Sequence, residues 1–91
     1  WWKEITMDKD KFLNPNYKPD ENTRNEIENL HKEGIPLSGV QLPFADMKNT
    51  NLINADLSNS NLTRADFSGA SMYGVNLAGA NLSDCPLVML P

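Results

Sequence analysis

The sequence predicts a mainly β chain: a coil of five-residue units wound into laps of twenty residues, led by one capping α-helix. Three observations predict it. A large apolar residue recurs at every fifth position, eleven times without a slip: Leu37, Leu42, Met47, Leu52, Leu57, Leu62, Phe67, Met72, Leu77, Leu82 and Leu87. Two places before each stands a smaller residue, as in Val40, Ala45, Ala55, Ala65, Val75 and Cys85. Between the two lies mostly Asp, Asn or Ser, and after the large residue come pairs such as Ser58-Asn59, Ser68-Gly69 and Ala78-Gly79.

A period of five fits neither common element. On a strand it would throw successive large residues to opposite faces, and on an α-helix it rotates the side chain by roughly 140°. A very short extended piece followed by a corner does fit. The small and large residues, two apart, point the same way, and Gly, Asn and Ser turn the chain. If each corner turns by about a right angle, four units close one square lap and every large side chain faces one axis. Residues twenty apart then stack at a strand spacing of about 4.8 Å. The columns are Leu37/Leu57/Leu77, Leu42/Leu62/Leu82, Met47/Phe67/Leu87 and Leu52/Met72. Thr50 and Ser60 fall on inward positions, where a hydroxyl needs a backbone partner.

Three zones follow. Residues 1–19 form an irregular leader with turn chemistry in "NPNYKPD" and with Phe12 and Leu13 as anchors. Residues 20–34 form the capping helix. Asp20 is its expected N-cap, Thr23 with Glu26 offers a second capping-box register, His31-Lys32 suit the C-terminal dipole, and Gly34 is the stop. Its apolar stripe is only Ile27 and Leu30, enough to cover the end of something else. Residues 35–91 hold the repeat and an apolar C-terminal end.

The units "ADLSN", "ADFSG", "VNLAG" and "ANLSD" resemble the A-(D/N)-L-x-x units of pentapeptide repeat proteins. The resemblance covers Ile35 to about Met89. It implies a right-handed quadrilateral β-helix of just under three coils, and gives the leading helix the role of a cap. Pro36 and Pro43 suit a first coil with an incomplete ladder. At the other end "CPLVMLP" breaks the pattern, and the tail is expected to cap the coil, to meet a twin chain or to lead into further coils.

The chain has 91 residues, a net charge of -4 and 22% charged side chains. One small domain suits this length. The mild acidity argues against a nucleic-acid surface, which needs a basic stripe. Cys85, the single cysteine, excludes an intrachain disulfide and falls on an inward core position. A start at Trp1 predicts a piece of a longer or processed protein. Trp1-Trp2 read either as core aromatics or as the edge of an upstream membrane tether. The expected location is cytoplasmic or membrane-anchored in a bacterium.

The sequence carries no phosphate loop, zinc spacing or nucleophile motif, so no catalytic, cofactor-binding or metal residue is assigned, no cofactor is expected and no small-molecule substrate is evident. His31 reads as a surface residue of the last helical turn. Asp46 and Asp66 share an outward column, where turn hydrogen bonding explains them better than acid–base chemistry. The outward residues untypical of the repeat are the candidate contact surface: Phe44 and Arg64, in one column with Asp84; Ile53 and Tyr73 in another; and Val88 and Leu90 near the end. Arg64 is expected over Phe44 or paired with Asp84.

These features predict a non-catalytic scaffold that contacts proteins, part of a larger bacterial protein, with a homodimer through the C-terminal end as one expectation. The resemblance suggests two alternatives. One is a DNA-mimicking gyrase-binding protein, which needs a longer and more acidic rod than this chain supplies. The other is a substrate-binding or targeting module of a secreted bacterial effector enzyme.

Overall fold

The structure, a computed structural model, describes residues 9–86. The expectations for Trp1-Trp2, for Leu87 as a core residue and for Val88 and Leu90 as contact residues lie outside the described residues.

Among the described residues two helices precede the repeats: α1, Asp10–Leu13, and α2, Thr23–Lys32. The leader, expected to be irregular, thus contains one helical turn. Phe12 is buried, while Leu13, expected as a second anchor, is 41% exposed. The Phe12 ring meets Tyr17 edge-on at 4.8 Å, and the Tyr17 hydroxyl lies 2.6 Å from Thr23 Oγ1. These contacts tie the leader to the start of α2.

Helix α2 begins two residues later than the Asp20 cap would place it. Its N-cap is Asn22, with no side-chain capping bond. Asp20 instead accepts the N–H of Asn22 at 2.8 Å and donates its own N–H to Thr23 Oγ1 at 2.8 Å. Thr23 is therefore the acceptor in a turn leading into the helix, which removes it from a capping box. At the other end Gly34 N–H donates to His31 O and Ile35 N–H to Leu30 O, with Gly34 at φ 82°. This is the paired 5→2 and 6→1 closure for which a glycine at positive φ is favoured. Thr23, Ile27 and Leu30, on one helical face, are buried.

From residue 35 the chain runs in laps of twenty residues. Single parallel bridges join Gln41 to Asn61, Asp46 to Asp66, Asn51 to Ser71, Asp56 to Asn76 and Asn61 to Asn81. Two bond families sustain them. The N–H of a central residue donates nineteen residues ahead, as from Leu42 to Asn61 O and Leu57 to Asn76 O; the polar residue donates twenty-one back, as from Asn61 to Val40 O and Asp66 to Ala45 O. Corners close with a bond such as Ser60 N–H to Leu57 O at 3.3 Å or Ala65 N–H to Leu62 O at 3.0 Å; at the Met47 corner the Thr50 hydroxyl makes it.

This corrects the expected fold class. The predicted mainly β, right-handed quadrilateral β-helix requires strands, and among the described residues there is no β-strand and no sheet, only isolated bridges. The reason lies in the unit. Two of its five residues are spent on the turn, and the small and large residues flank a single polar position. One residue per unit is left to pair, whereas a strand needs consecutive pairs. The described chain is two helices followed by a stack of hydrogen-bonded turns.

The core is the axis of that stack. Leu37, Leu42, Met47, Leu52, Leu57, Leu62 and Phe67 are buried, and Met72, Leu77 and Leu82 of the last lap are partly buried. Fully burying one such side chain contributes about 1.5–3 kcal/mol. The inward hydroxyls find carbonyls: Thr50 Oγ1 donates to Met47 O at 2.9 Å and Ser60 Oγ to Leu37 O at 3.2 Å. Cys85 repeats the Ser60 geometry, its thiol donating to Leu62 O at 2.9 Å.

The first lap has no lap beneath it, so its outer N–H and C=O groups need other partners. The two helices supply them. Phe12 O accepts from Gln41 N–H at 2.6 Å, and Glu28 Oε2 accepts from Asn51 N–H at 2.6 Å. Arg24 donates to Lys48 O at 3.2 Å, and His31 Nε2 donates to Ile53 O at 2.8 Å. Arg24, Glu28 and His31 follow the same i, i+4, i+7 spacing as Thr23, Ile27 and Leu30, one residue on. One stripe of α2 covers the core and the next caps the edge.

Candidate interaction surface

Every corner has the same backbone. The second residue after each central side chain sits at positive φ, from Gly39 at 78° through Asn59 at 58° to Asp84 at 59°. Asn and Gly enter this region readily, whereas a bulky side chain there is a genuine outlier. The polar residue before the central one holds the corner from the other side. Its side-chain oxygen accepts the N–H two residues on, as Asp56 does from Ser58 at 3.0 Å, Asn61 from Thr63 at 3.1 Å and Asn76 from Ala78 at 3.0 Å. This is why the unit needs Asp or Asn at that place.

Asp46 and Asp66 are bridged to each other, and both belong to these corners. Asp46 accepts Lys48 N–H at 3.1 Å and lies 3.6 Å from Arg24. Asp66 accepts the Ser68 hydroxyl at 2.6 Å and the Ser68 N–H at 2.9 Å. The hydroxyl first, and the N–H second, hold the Asp66 carboxyl below the ordinary carboxylate value; Ser58 does the same for Asp56. Such carboxylates are stabilised as anions and make poor proton carriers. Burial pushes the Cys85 thiol up, which keeps it protonated. Among the described residues no group of three or more His, Cys, Asp or Glu side chains could hold a metal ion, and no helix is long and apolar enough to cross a membrane.

The positive-φ corner positions fall into four columns. Three contain only Asn and Gly: Gly39/Asn59/Gly79, Asn49/Gly69 and Asn54/Gly74. The fourth is Phe44/Arg64/Asp84, at φ 63°, 56° and 59°. The Arg64 guanidinium carbon stands 5.5 Å from the centre of the Phe44 ring, and Arg64 Nε lies 3.5 Å from Asp84 Oδ2. Both contacts expected as alternatives exist together. Phe44 is 67% exposed. Two corners away round the lap, Tyr73 is 81% exposed and Ile53, one lap earlier in the same column, is 41% exposed.

Sequence reasoning missed two features of this surface. One is the polar stripe Arg24, Glu28 and His31, whose signal was the spacing beside Ile27 and Leu30; His31, expected as a plain surface residue, is a cap for the Ile53 carbonyl. The other is an open groove of about 480 Å³ where the leader passes Phe44, lined by Pro15, Tyr17, Pro19, Pro43 and Phe44, with Lys18. It arises from the placement of the leader against the first lap, which local sequence does not encode.

Comparison with curated proteins gives no match. The family model for pentapeptide repeats matches residues 45–84 in eight copies. The matched units are those with Asp, Asn or Ser at the bridging place, whereas the units on either side carry Pro36, Gln41 and Pro86 there. Residues 45–84 of the chain are therefore pentapeptide repeats.

Proposed function

We propose that the chain is a non-catalytic protein–protein interaction module, a scaffold within a larger bacterial protein. The observation that carries this reading is the Ile53–Tyr73 column. The backbone beneath it is pinned, with Asn54 N–H donating to Tyr73 O at 2.8 Å and Ile53 O accepting from His31. The Tyr73 side chain nevertheless points to solvent and packs nothing the fold needs. Exposed aromatic residues on a fixed backbone are suited to contact, because little side-chain entropy is lost on binding. A photo-crosslinking residue at position 73 tests the reading. A discrete crosslinked protein that disappears in Ile53→Asp supports it; no crosslink in the native cell, with the fold intact, overturns it.

A second reading rests on the last lap. Met72, Leu77 and Leu82 are only partly buried, and their N–H groups have no backbone partner among the described residues. A second copy meeting this end would cover both, since open ladder edges favour pairing. Light scattering decides it: a mass of two chains supports a dimer, and one chain at all concentrations removes it.

A further inference from the structure

The Phe44/Arg64/Asp84 column departs from the other three. At Phe44 and Arg64 a bulky residue is held at positive φ where the same corner elsewhere takes Asn or Gly. Residues kept in sparsely populated conformations against local preference mark functional positions when nothing in the packing requires them. Core burial does not require Phe44, which is 67% exposed. It forms one wall of the open groove faced by Tyr17, Pro15, Pro19 and Pro43.

One cation, Lys18, lines this groove, and a second, Arg64, stands beside it over the Phe44 ring. Arg64 is engaged by Asp84 only through Nε, at 3.5 Å, and the rest of its guanidinium makes no other ion pair or hydrogen bond among the described residues. Lys18, in the groove lining, also makes no ion pair among the described residues. Of the ion-paired acids, Asp84 alone belongs to this column. A planar guanidinium with free N–H edges, stacked on an aromatic ring, binds a carboxylate well. An apolar slot walled by Tyr, Phe and Pro accepts an apolar side chain.

We infer that this groove is a docking site for an acidic peptide segment of a partner protein, with an apolar or aromatic side chain between Tyr17 and Phe44 and a neighbouring carboxylate on Arg64 and Lys18. This deepens the interaction-module reading and rests on it. It concerns a different column from Ile53–Tyr73, so the two can fail separately.

The test is an NMR titration of the full chain with three blocked peptides: acetyl-Ala-Phe-Glu-Ala-amide, its Glu-to-Gln analogue and its Phe-to-Ala analogue. The expected result is saturable shifts at Tyr17, Lys18, Phe44 and Arg64 for the first peptide, weakened by salt, with at least about tenfold weaker binding for both analogues. Phe44→Asn and Arg64→Asn should lose the binding while the melting temperature holds or rises, because Asn suits the corner. Equal response to the Gln analogue, absence of saturable shifts at millimolar peptide, or a fall in melting temperature in both variants would overturn the proposal. So would a concentration-dependent dimer that disappears in Phe44→Asn, which would make a second copy the occupant. A peptide failure with Tyr73 crosslinking retained would sink this site alone.

Discussion

The Glu28 carboxylate accepts the N–H of Asn51 at 2.6 Å, in the place where a carbonyl of a preceding lap would stand. Ser71, one lap above Asn51, donates its N–H to Thr50 O; Asn51 would need residue 30 in that role, and residue 30 lies in α2. A side chain thus replaces a backbone group. His31 does the same for the Ile53 carbonyl. Helix α2 acts as a substitute lap, and the first true lap ends without an open edge there.

Removing either group should therefore loosen the stack from its base. Glu28→Ala leaves Asn51 N–H without its acceptor, and His31→Ala leaves Ile53 O without its donor. Each lost bond costs about 0.5–1.5 kcal/mol, equivalent to roughly 4–8 °C of melting temperature per kcal/mol in a domain this size. Glu28→Gln keeps an acceptor oxygen and should sit close to wild type. Thermal melts of the three variants check this, and an unchanged Glu28→Ala would refute the capping role.

The axis is graded from base to top. Phe67 is fully buried and is the only aromatic side chain among the central residues, so Phe67→Ala should cost about 3–5 kcal/mol. Set against a total stability of about 5–15 kcal/mol, that is enough to leave much of the chain unfolded near body temperature. Leu82, partly buried in the last lap, should cost clearly less when changed to Ala. Urea unfolding of both variants measures the difference, and equal losses would contradict the graded core.

The sequence made the axis legible and hid the absence of strands for one and the same reason. Period-five spacing reports which side chains share a core, since burial is paid residue by residue. It says little about the backbone between, and single-residue bridging such as Asp46 to Asp66 falls short of a strand. Thr50 and Ser60 were readable because an inward hydroxyl must find a carbonyl. Arg24 and Glu28 were not, because a polar helical face looks the same whether it meets water or a lap edge. The Phe44 column was visible as an exception, but the groove beside it depends on Tyr17, Pro15 and Pro19 arriving from the leader to face Pro43 and Phe44.

Glycine in the last lap is set by the asparagine below it. A methyl group on Gly69 would stand 2.2 Å from Asn49 Oδ1, and Gly69 also has φ 75°. Gly69→Ala should destabilise by more than the roughly 1 kcal/mol of positive φ alone, because the Asn49 side chain must also move. Changing Asn49 to Gly in the same chain should recover the part due to the clash and leave the part due to φ. A double-mutant cycle separates them; strict additivity would show that the two residues do not compete for the space.

Acid should weaken the corners that carry Asp before those that carry Asn. The Asp56 and Asp66 carboxyls are held below their ordinary 3.8, first by the Ser58 and Ser68 hydroxyls and then by the N–H groups of the same residues. A group with a lowered folded value contributes stability that is fully present above its unfolded value and is lost as pH falls through the folded one. The loss should therefore begin below about pH 4 and be complete only under more acid conditions. Asp56→Asn and Asp66→Asn keep the acceptor, as Asn61 shows in accepting the Thr63 hydroxyl at 2.7 Å and the Thr63 N–H at 3.1 Å. The double variant should fold like wild type at pH 7 and show a flatter stability profile between pH 5 and pH 2. If instead its profile falls as steeply as that of wild type, the titrating groups lie elsewhere and the Asp corners do not set the acid limit.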